Sequence, residues 1–330
     1  MQFRTPVAPL DRKGLVSHRT PVVTLGSCFA DAVARRLTDR LFTVTANPFG
    51  TLYNPASIAA AARRIAGEEE FAPDELFCHE GRWRSWLCHT LLSFEGTAES
   101  AAEQFNHRLR EAAEALRQAK TAIITLGTAW VFAMRSTGAT VANCHKMPAS
   151  MFDRRRLTVD ESARLIIEAC EAMRAAAPGL AVIVTISPIR HAADGHHGNQ
   201  LSKSTLMLAA EQAVGQLDRP DAPAVYFPAF EALIDDLRDY RFYAEDLVHP
   251  SAQAVEYVWE KFAATAFTAQ TRERLAAVEE IVRTARHVPR RPDSDAYRAL
   301  CRRTLERIAA LEREAGIDFS EETARLSAHL

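Results

Sequence analysis

Five short stretches of this chain are apolar or β-branched almost throughout: Thr20 to Leu25, Leu41 to Ala46, Thr121 to Leu126, Leu180 to Ile186 and Ala224 to Phe227. Runs of this kind suit strands buried on both faces, as in a parallel sheet. Between them, apolar positions recur at helical spacing. Asn54-Pro55 opens a stretch that runs to Ile65, with proline in the first turn. Ala98 to Lys120 is long and polar-striped, and Asp160 to Ala177 stops at Pro178-Gly179. Leu201 to Leu217 and Ser251 to Phe267 complete the alternation. Two inserts have hairpin patterns, Leu76 to Leu87 turning at Glu80-Gly81 and Trp130 to Cys144 turning near Thr137-Gly138. After Phe267 only helical patterns follow: Thr271 to Arg286, Asp295 to Gly316 and Glu321 to Leu330, with a breaker at His287 to Pro292. The pattern predicts an α/β protein. Residues 1–268 form a three-layer α/β/α sandwich around a central five-stranded parallel sheet, and residues 269–330 form a helical C-terminal appendage.

Composition narrows the function classes. The chain has 330 residues and a net charge of −2, with acids and bases interspersed. That is not the electrostatic footprint of a nucleic-acid binder. Met1 to Leu10 lacks the apolar core of a secretion signal, and no apolar run is long enough to span a bilayer. The six cysteines are scattered, with no Cys-x-x-Cys pair, so neither a zinc site nor a disulfide framework is expected. These features describe a soluble, cytoplasmic protein with reduced thiols, without nucleic-acid or membrane partners. No phosphate-binding glycine loop follows any strand, which sets aside a nucleotide enzyme. His196-His197 beside Asp194 has a metal-like look, but Gly195 and Gly198 around it read better as a mobile loop. No metal and no cofactor are expected.

The chemistry concentrates at two places. Gly26-Ser27-Cys28-Phe29-Ala30 joins the first strand to a helical stretch from Asp31 to Arg40. A hydroxyl or thiol on such a turn sits at the carboxyl end of a strand and at the positive end of a helix dipole, where a nucleophile is useful. A thiol there, beside a histidine, is expected to have a lowered pKa. Far downstream, Asp246-Leu-Val-His249 precedes the helix that Pro250 and Ser251 open. A carboxylate three residues before a histidine can fix its tautomer and stabilise the imidazolium.

Gly26 to Ala30 is also the signature of the GSCFA domain family, and the resemblance continues through Asn47 to Pro55, Leu126 to Trp130, Asn143 to Lys146, Thr185 to His191, Asn199 to Ser204 and Leu237 to Pro250. It covers roughly residues 20 to 265. The family in turn resembles the SGNH (GDSL-type) hydrolases. That likeness implies a flavodoxin-like fold with a nucleophile, histidine and aspartate at one sheet edge. The SGNH first block carries its nucleophile two residues after the glycine, which is Cys28 here, with Ser27 as the alternative. Asp246 and His249 match the last block as orienting acid and general base. Gly50 is the counterpart of the glycine that gives an N–H to an oxyanion hole. Gly127-Thr128 occupies the third block, whose usual asparagine is missing; Asn143 or His145, on the inserted hairpin, are the replacements considered.

Arg190 and His191 end the fourth strand at the same edge and are candidates for binding an anionic or polar group, with Lys203 similarly placed. Tyr240 to Tyr243 reads as packing beneath the base, and Arg154 to Arg156 as a solvated face. The expected activity is that of an acyl hydrolase, an esterase or thioesterase. A related acyltransferase is the variant, working through a covalent acyl-enzyme on a small ester or acylated carbohydrate-like substrate. The alternative is a binding module that kept the pocket and lost turnover. The C-terminal helices could serve homo-oligomer formation.

Overall fold

The computed structural model describes residues 5–10, 12–292 and 294–330. Residues 1–4 of the opening segment lie outside it. Its centre is a parallel sheet of β1 (Val22–Gly26), β2 (Val44–Ala46), β3 (Thr121–Leu126), β4 (Ala181–Ile186) and β5 (Ala224–Phe227). The order is β5-β4-β3-β1-β2. The order in which strands are added reverses between β1 and β3, the switch point at which such parallel sheets open a crevice beyond their carboxyl ends.

Alternation along the strands divides the core. Val23, Leu25, Ala122, Ile124, Val182, Val184 and Ile186 face one apolar layer. Val22, Ile123, Ile183, Val225 and Phe227 face the other. Helices α2 (Pro55–Gly67), α3 (Ala98–Gln118), α4 (Val159–Ala176) and α5 (Gly195–Leu217) cover the first face. Helices α1 (Cys28–Thr38) and α6 (Ala252–Ala266) cover the second. Side-chain caps from Asn54, Thr97, Thr158 and Ser251 start four of these helices by accepting first-turn N–H groups. The structure is therefore the α/β/α sandwich that the sequence predicts.

The C-terminal helices are α7 (Ala269–Arg286), α8 (Asp295–Ala315) and α9 (Ser320–Ser327). They build a small core of their own around Val278, Ile281, Cys301, Ile308 and Phe319. Leu275, one turn earlier on α7, belongs instead to the layer under α1 and α6.

Several details differ from the sequence reading. Helix α5 begins at Gly195, so His196 and His197 lie in its first turn rather than in a loop. The hairpin from Trp130 gains a third strand, Phe152–Arg156, paired to Trp130–Met134. Arg154 is not simply solvated: its guanidinium lies 4.3 Å from the Trp130 ring and pairs with Asp194. Residues 232–237 form a π-helical turn. Among the described residues no helix is long and apolar enough to cross a membrane.

Candidate active site

Gly26 ends β1 with φ +148°, and its peptide is held on three sides. Its N–H donates to Asn47 Oδ1 (2.8 Å), its carbonyl accepts from Leu52 N–H (2.8 Å), and the next N–H, of Ser27, donates to Thr125 O (3.0 Å). Asn47 in turn donates from Nδ2 to Asp31 Oδ1 (2.7 Å). The turn cannot drift, so the first residue of α1, Cys28, is fixed at the carboxyl edge of the sheet.

Ser27 and Cys28 have different surroundings. Ser27 is buried and caps α1: its Oγ accepts from Phe29 N–H (3.3 Å). Cys28 is half-buried, and its Sγ lies 4.0 Å from His249 Nε2. That separation is loose, as is common before substrate arrives. Ser27→Ala is expected to cost about 1 kcal/mol of stability through the lost cap while Cys28 remains the acylated residue; thermal unfolding and acyl-probe labelling of the variant check both.

Asp246 does more than approach the imidazole. Its Oδ2 stands 2.6 Å from His249 Nδ1, and its Oδ1 accepts the backbone N–H groups of Val248 and His249, each at 2.9 Å. Those N–H groups, the His249 backbone first, hold the Asp246 carboxyl down to about 2. It therefore stays a carboxylate at any working pH and keeps His249 Nδ1 protonated, leaving Nε2 as the acceptor facing sulfur. The loop is held from outside by Arg190, whose N–H donates to Val248 O (3.1 Å) and whose Nη1 donates to Leu247 O (3.2 Å). Leu247 itself has φ +56°, an uncommon conformation for a branched side chain that these bonds hold in place.

The thiol is not the pre-ionised group expected from its helix position. Burial pushes the Cys28 thiol up, and the Asp31 carboxylate adds to the rise. Its own backbone N–H, the Tyr53 hydroxyl and Lys203 pull the other way. The shift favours the neutral thiol over the thiolate at Cys28.

The candidate oxyanion donors are distributed differently from the sequence reading. The Gly50 N–H is given to Asn47 O (2.7 Å) inside a turn, where the backbone has φ +76°. The Gly127 and Thr128 N–H groups both go to Tyr53 O, at 2.7 and 2.8 Å. The Thr128 hydroxyl pairs with Ser202 Oγ (3.0 Å). Asn143 accepts from His145 N–H (2.8 Å), and His145 is buried edge-on to Phe77 and Trp86, its pKa lowered by burial to about 4. None of these contacts reaches Cys28. The Gly50, Gly127 and Thr128 N–H groups are thus taken by backbone carbonyls, while the bonds and ring contacts of Asn143 and His145 lie on the inserted hairpins.

Two groups are better placed, a backbone amide of the turn after β1 and a tyrosine that the sequence reading did not assign. The Cys28 N–H belongs to the first helical turn, where no intrahelical acceptor exists, and faces its own sulfur. Tyr53 precedes the cap of α2, and its hydroxyl, which accepts from Thr51 Oγ1 (3.1 Å), stands against Cys28 with its proton available. The sequence signals for Tyr53 were its place next to the helix start after β2 and its inclusion in the Asn47 to Pro55 motif. Behind them lies Lys203, fully buried, donating from Nζ to Gly127 O and Ser187 O, both at 2.7 Å. It ties together the ends of β3 and β4, and burial brings its pKa down to about 7. His191 lies edge-on to Tyr53 with ring centroids 5.8 Å apart, its N–H donated to Asn199 Oδ1 (2.9 Å). Phe242 and Tyr243 pack against Leu233, Leu237 and Ala254 as expected, but Tyr240 is 61% exposed, and the Arg190 guanidinium lies over the Tyr240 and Tyr243 rings, 5.2 and 3.9 Å from their centroids.

Fold and site together define a flavodoxin-like α/β/α protein with a cysteine, histidine and aspartate gathered at the carboxyl edge of its sheet. The chain belongs to the GSCFA family, whose sequence model matches residues 21–262. A second model, the C-terminal domain of GSCFA domain proteins, matches residues 278–330. No curated protein matches the sequence. Among solved structures, an acetyl esterase mutant with acetate ion aligns at 10% identity with a TM-score of 0.38, covering 79% of this chain and 99% of that one. A carbohydrate esterase family 3 protein from Talaromyces cellulolyticus aligns at 11% identity with the same TM-score and the same coverage. Likenesses of that size say nothing about activity.

Proposed function

We propose that this protein is an acyl-transferring hydrolase that cleaves an ester or thioester through an acyl-Cys28 intermediate. The observation that carries the reading is the line from Asp246 through His249 to Cys28, with distances of 2.6 and 4.0 Å, at the switch point of the sheet. In the first half-reaction Cys28 sulfur bonds to the carbonyl carbon while its proton passes to His249 Nε2. The carbonyl π pair moves onto oxygen, where the Cys28 N–H and the Tyr53 hydroxyl receive it. When that pair returns, the bond to the leaving oxygen or sulfur breaks, and the leaving group takes the proton from Nε2. Water then repeats the sequence, giving its proton to His249 and its oxygen to the acyl carbon, and sulfur recovers the proton. An acceptor hydroxyl in place of water would make the same site a transferase.

Mass spectrometry after exposure to p-nitrophenyl acetate and to an acetyl thioester tests this. One acetyl group on the peptide holding Cys28, absent in His249→Ala, is the expected result. Label on Ser27, or no label with either donor, overturns it. Tyr53→Phe is expected to lower kcat/KM by about 100-fold, chiefly in kcat, as loss of one oxyanion donor does; steady-state kinetics with the acetyl donor checks it.

A further inference from the structure

Beside the Asp246–His249 loop lies a cleft of about 240 Å³ whose lining includes Arg190, His191, Asn199, Tyr240 and Asp246. It is continuous, through Arg190, His196, Asn199 and Tyr240, with a second hollow of about 320 Å³ that runs toward Phe230 and Arg238. The charge of this cleft is unbalanced. Of the five N–H donors of the Arg190 guanidinium, one goes to Leu247 O and another meets the Tyr243 hydroxyl, and the group lies over Tyr240 and Tyr243 without an ion-pair partner among the described residues. The two carboxylates on the cleft wall are committed elsewhere, Asp246 to His249 and Asp239 to Arg241. Helix α5 adds to the imbalance. It starts at the cleft with Gly195 and His196, and its capping residue, Asp194, turns its carboxylate to Arg154 and accepts no first-turn N–H. A guanidinium fork without a counter-ion and the uncapped positive end of a long helix, facing one polar hollow, make a site for an oxyanion.

We propose that this cleft binds a carboxylate or phosphate group carried by the substrate, so that the enzyme takes anionic rather than neutral esters. The assignment rests on the acyl-enzyme reading for the word substrate, but the anion site itself needs no turnover. Arg190 would then have two tasks, holding the base loop through Leu247 O and anchoring the charged end of the molecule whose carbonyl lies over Cys28.

Isothermal titration calorimetry with phenyl phosphate, benzoate and the neutral isostere benzamide tests the site without turnover. In the wild type, at least one anion is expected to bind tenfold or more tightly than benzamide, and which of the two does so identifies the oxyanion. Added sodium chloride should weaken the anion and leave benzamide unchanged, a readout that needs no variant. Arg190→Met should remove the preference, and Arg190→Lys should keep part of it, because a point charge lacks the planar fork. Equal binding of benzamide and the anions, or an anion preference that survives Arg190→Met in a folded protein, overturns the proposal. An absence of acyl-Cys28 in the labelling experiment would defeat the hydrolase reading and leave these binding values standing.

Discussion

Replacing Cys28 with alanine is expected to lower kcat/KM for an ester or thioester by at least about 1,000-fold, a loss of roughly 4 kcal/mol of transition-state stabilisation. The large effect follows from the site's geometry. Ser27, the adjacent hydroxyl, is buried and occupied as the cap of α1, so no second nucleophile can step in. Cys28→Ser should keep the hydrogen-bond framework yet recover little activity, because an oxygen nucleophile depends far more on its base and the 4.0 Å gap to His249 suits sulfur. The raised thiol pKa adds a pH signature. Only the thiolate reacts with iodoacetamide, so a thiol pushed up by burial and by Asp31 shows its alkylation rise at higher pH than an ordinary cysteine. Alkylation that is already complete near neutrality and flat above it would mean a resting thiolate, and the concerted proton transfer described above would be wrong.

Gly26→Ala is the second large effect, on stability. A Cβ at this position would lie 2.2 Å from Thr125 O and 2.8 Å from both Thr125 C and N. Those are backbone atoms of the neighbouring strand, held in register by the Gly26–Thr125 pairing and the Ser27 N–H bond, so neither side can yield. The φ of +148° adds strain for any residue with a side chain. A cost of about 3–5 kcal/mol is expected, a large share of the 5–15 kcal/mol that holds an ordinary domain together. Chemical denaturation should show a clear drop in midpoint, with loss of Cys28 labelling even where the variant folds. An alanine variant as stable as the wild type would contradict the tight crossing of β1 and β3.

The sheet was legible in the sequence because four of its strands are largely buried apolar runs, while the part-exposed edge strand β2 showed through its β-branched residues. Cys28 stood out for a related reason: a reactive residue directly after such a run must sit at the sheet's edge, whereas His249, well beyond the last strand, stood out by its spacing from Asp246 just ahead of a helix. What could not be read has physical causes. The start of α5 is hidden because Gly195 and Gly198 are poor helix formers. The strand Phe152–Arg156 is mostly exposed and arginine-rich, so its pairing to Trp130–Met134 is decided by the partner rather than by its own pattern. The π-turn at 232–237 follows no apolar period. The candidate oxyanion donors could not be sorted because a motif specifies residue types and not which N–H groups are already taken. Gly50, Gly127 and Thr128 have the right chemistry, but their protons go to Asn47 and Tyr53. Tyr53 is brought to the sulfur only by the folding of the loop between β2 and α2.

Helix α7 has one further consequence. Its first half, through Leu275, seals the sheet's lower layer beside Phe42 and Phe267, and three residues later Val278 begins the centre of the tail. Arg40, at the far end of α1, lies over Trp259 and pairs with Glu279 across the same junction. The helix that begins with Cys28 is thus braced at its other end by the tail. A fragment trimmed before α7 would expose an oily flank and free the shaft that carries Cys28, so a preparation lacking those helices should not stand in for the whole protein.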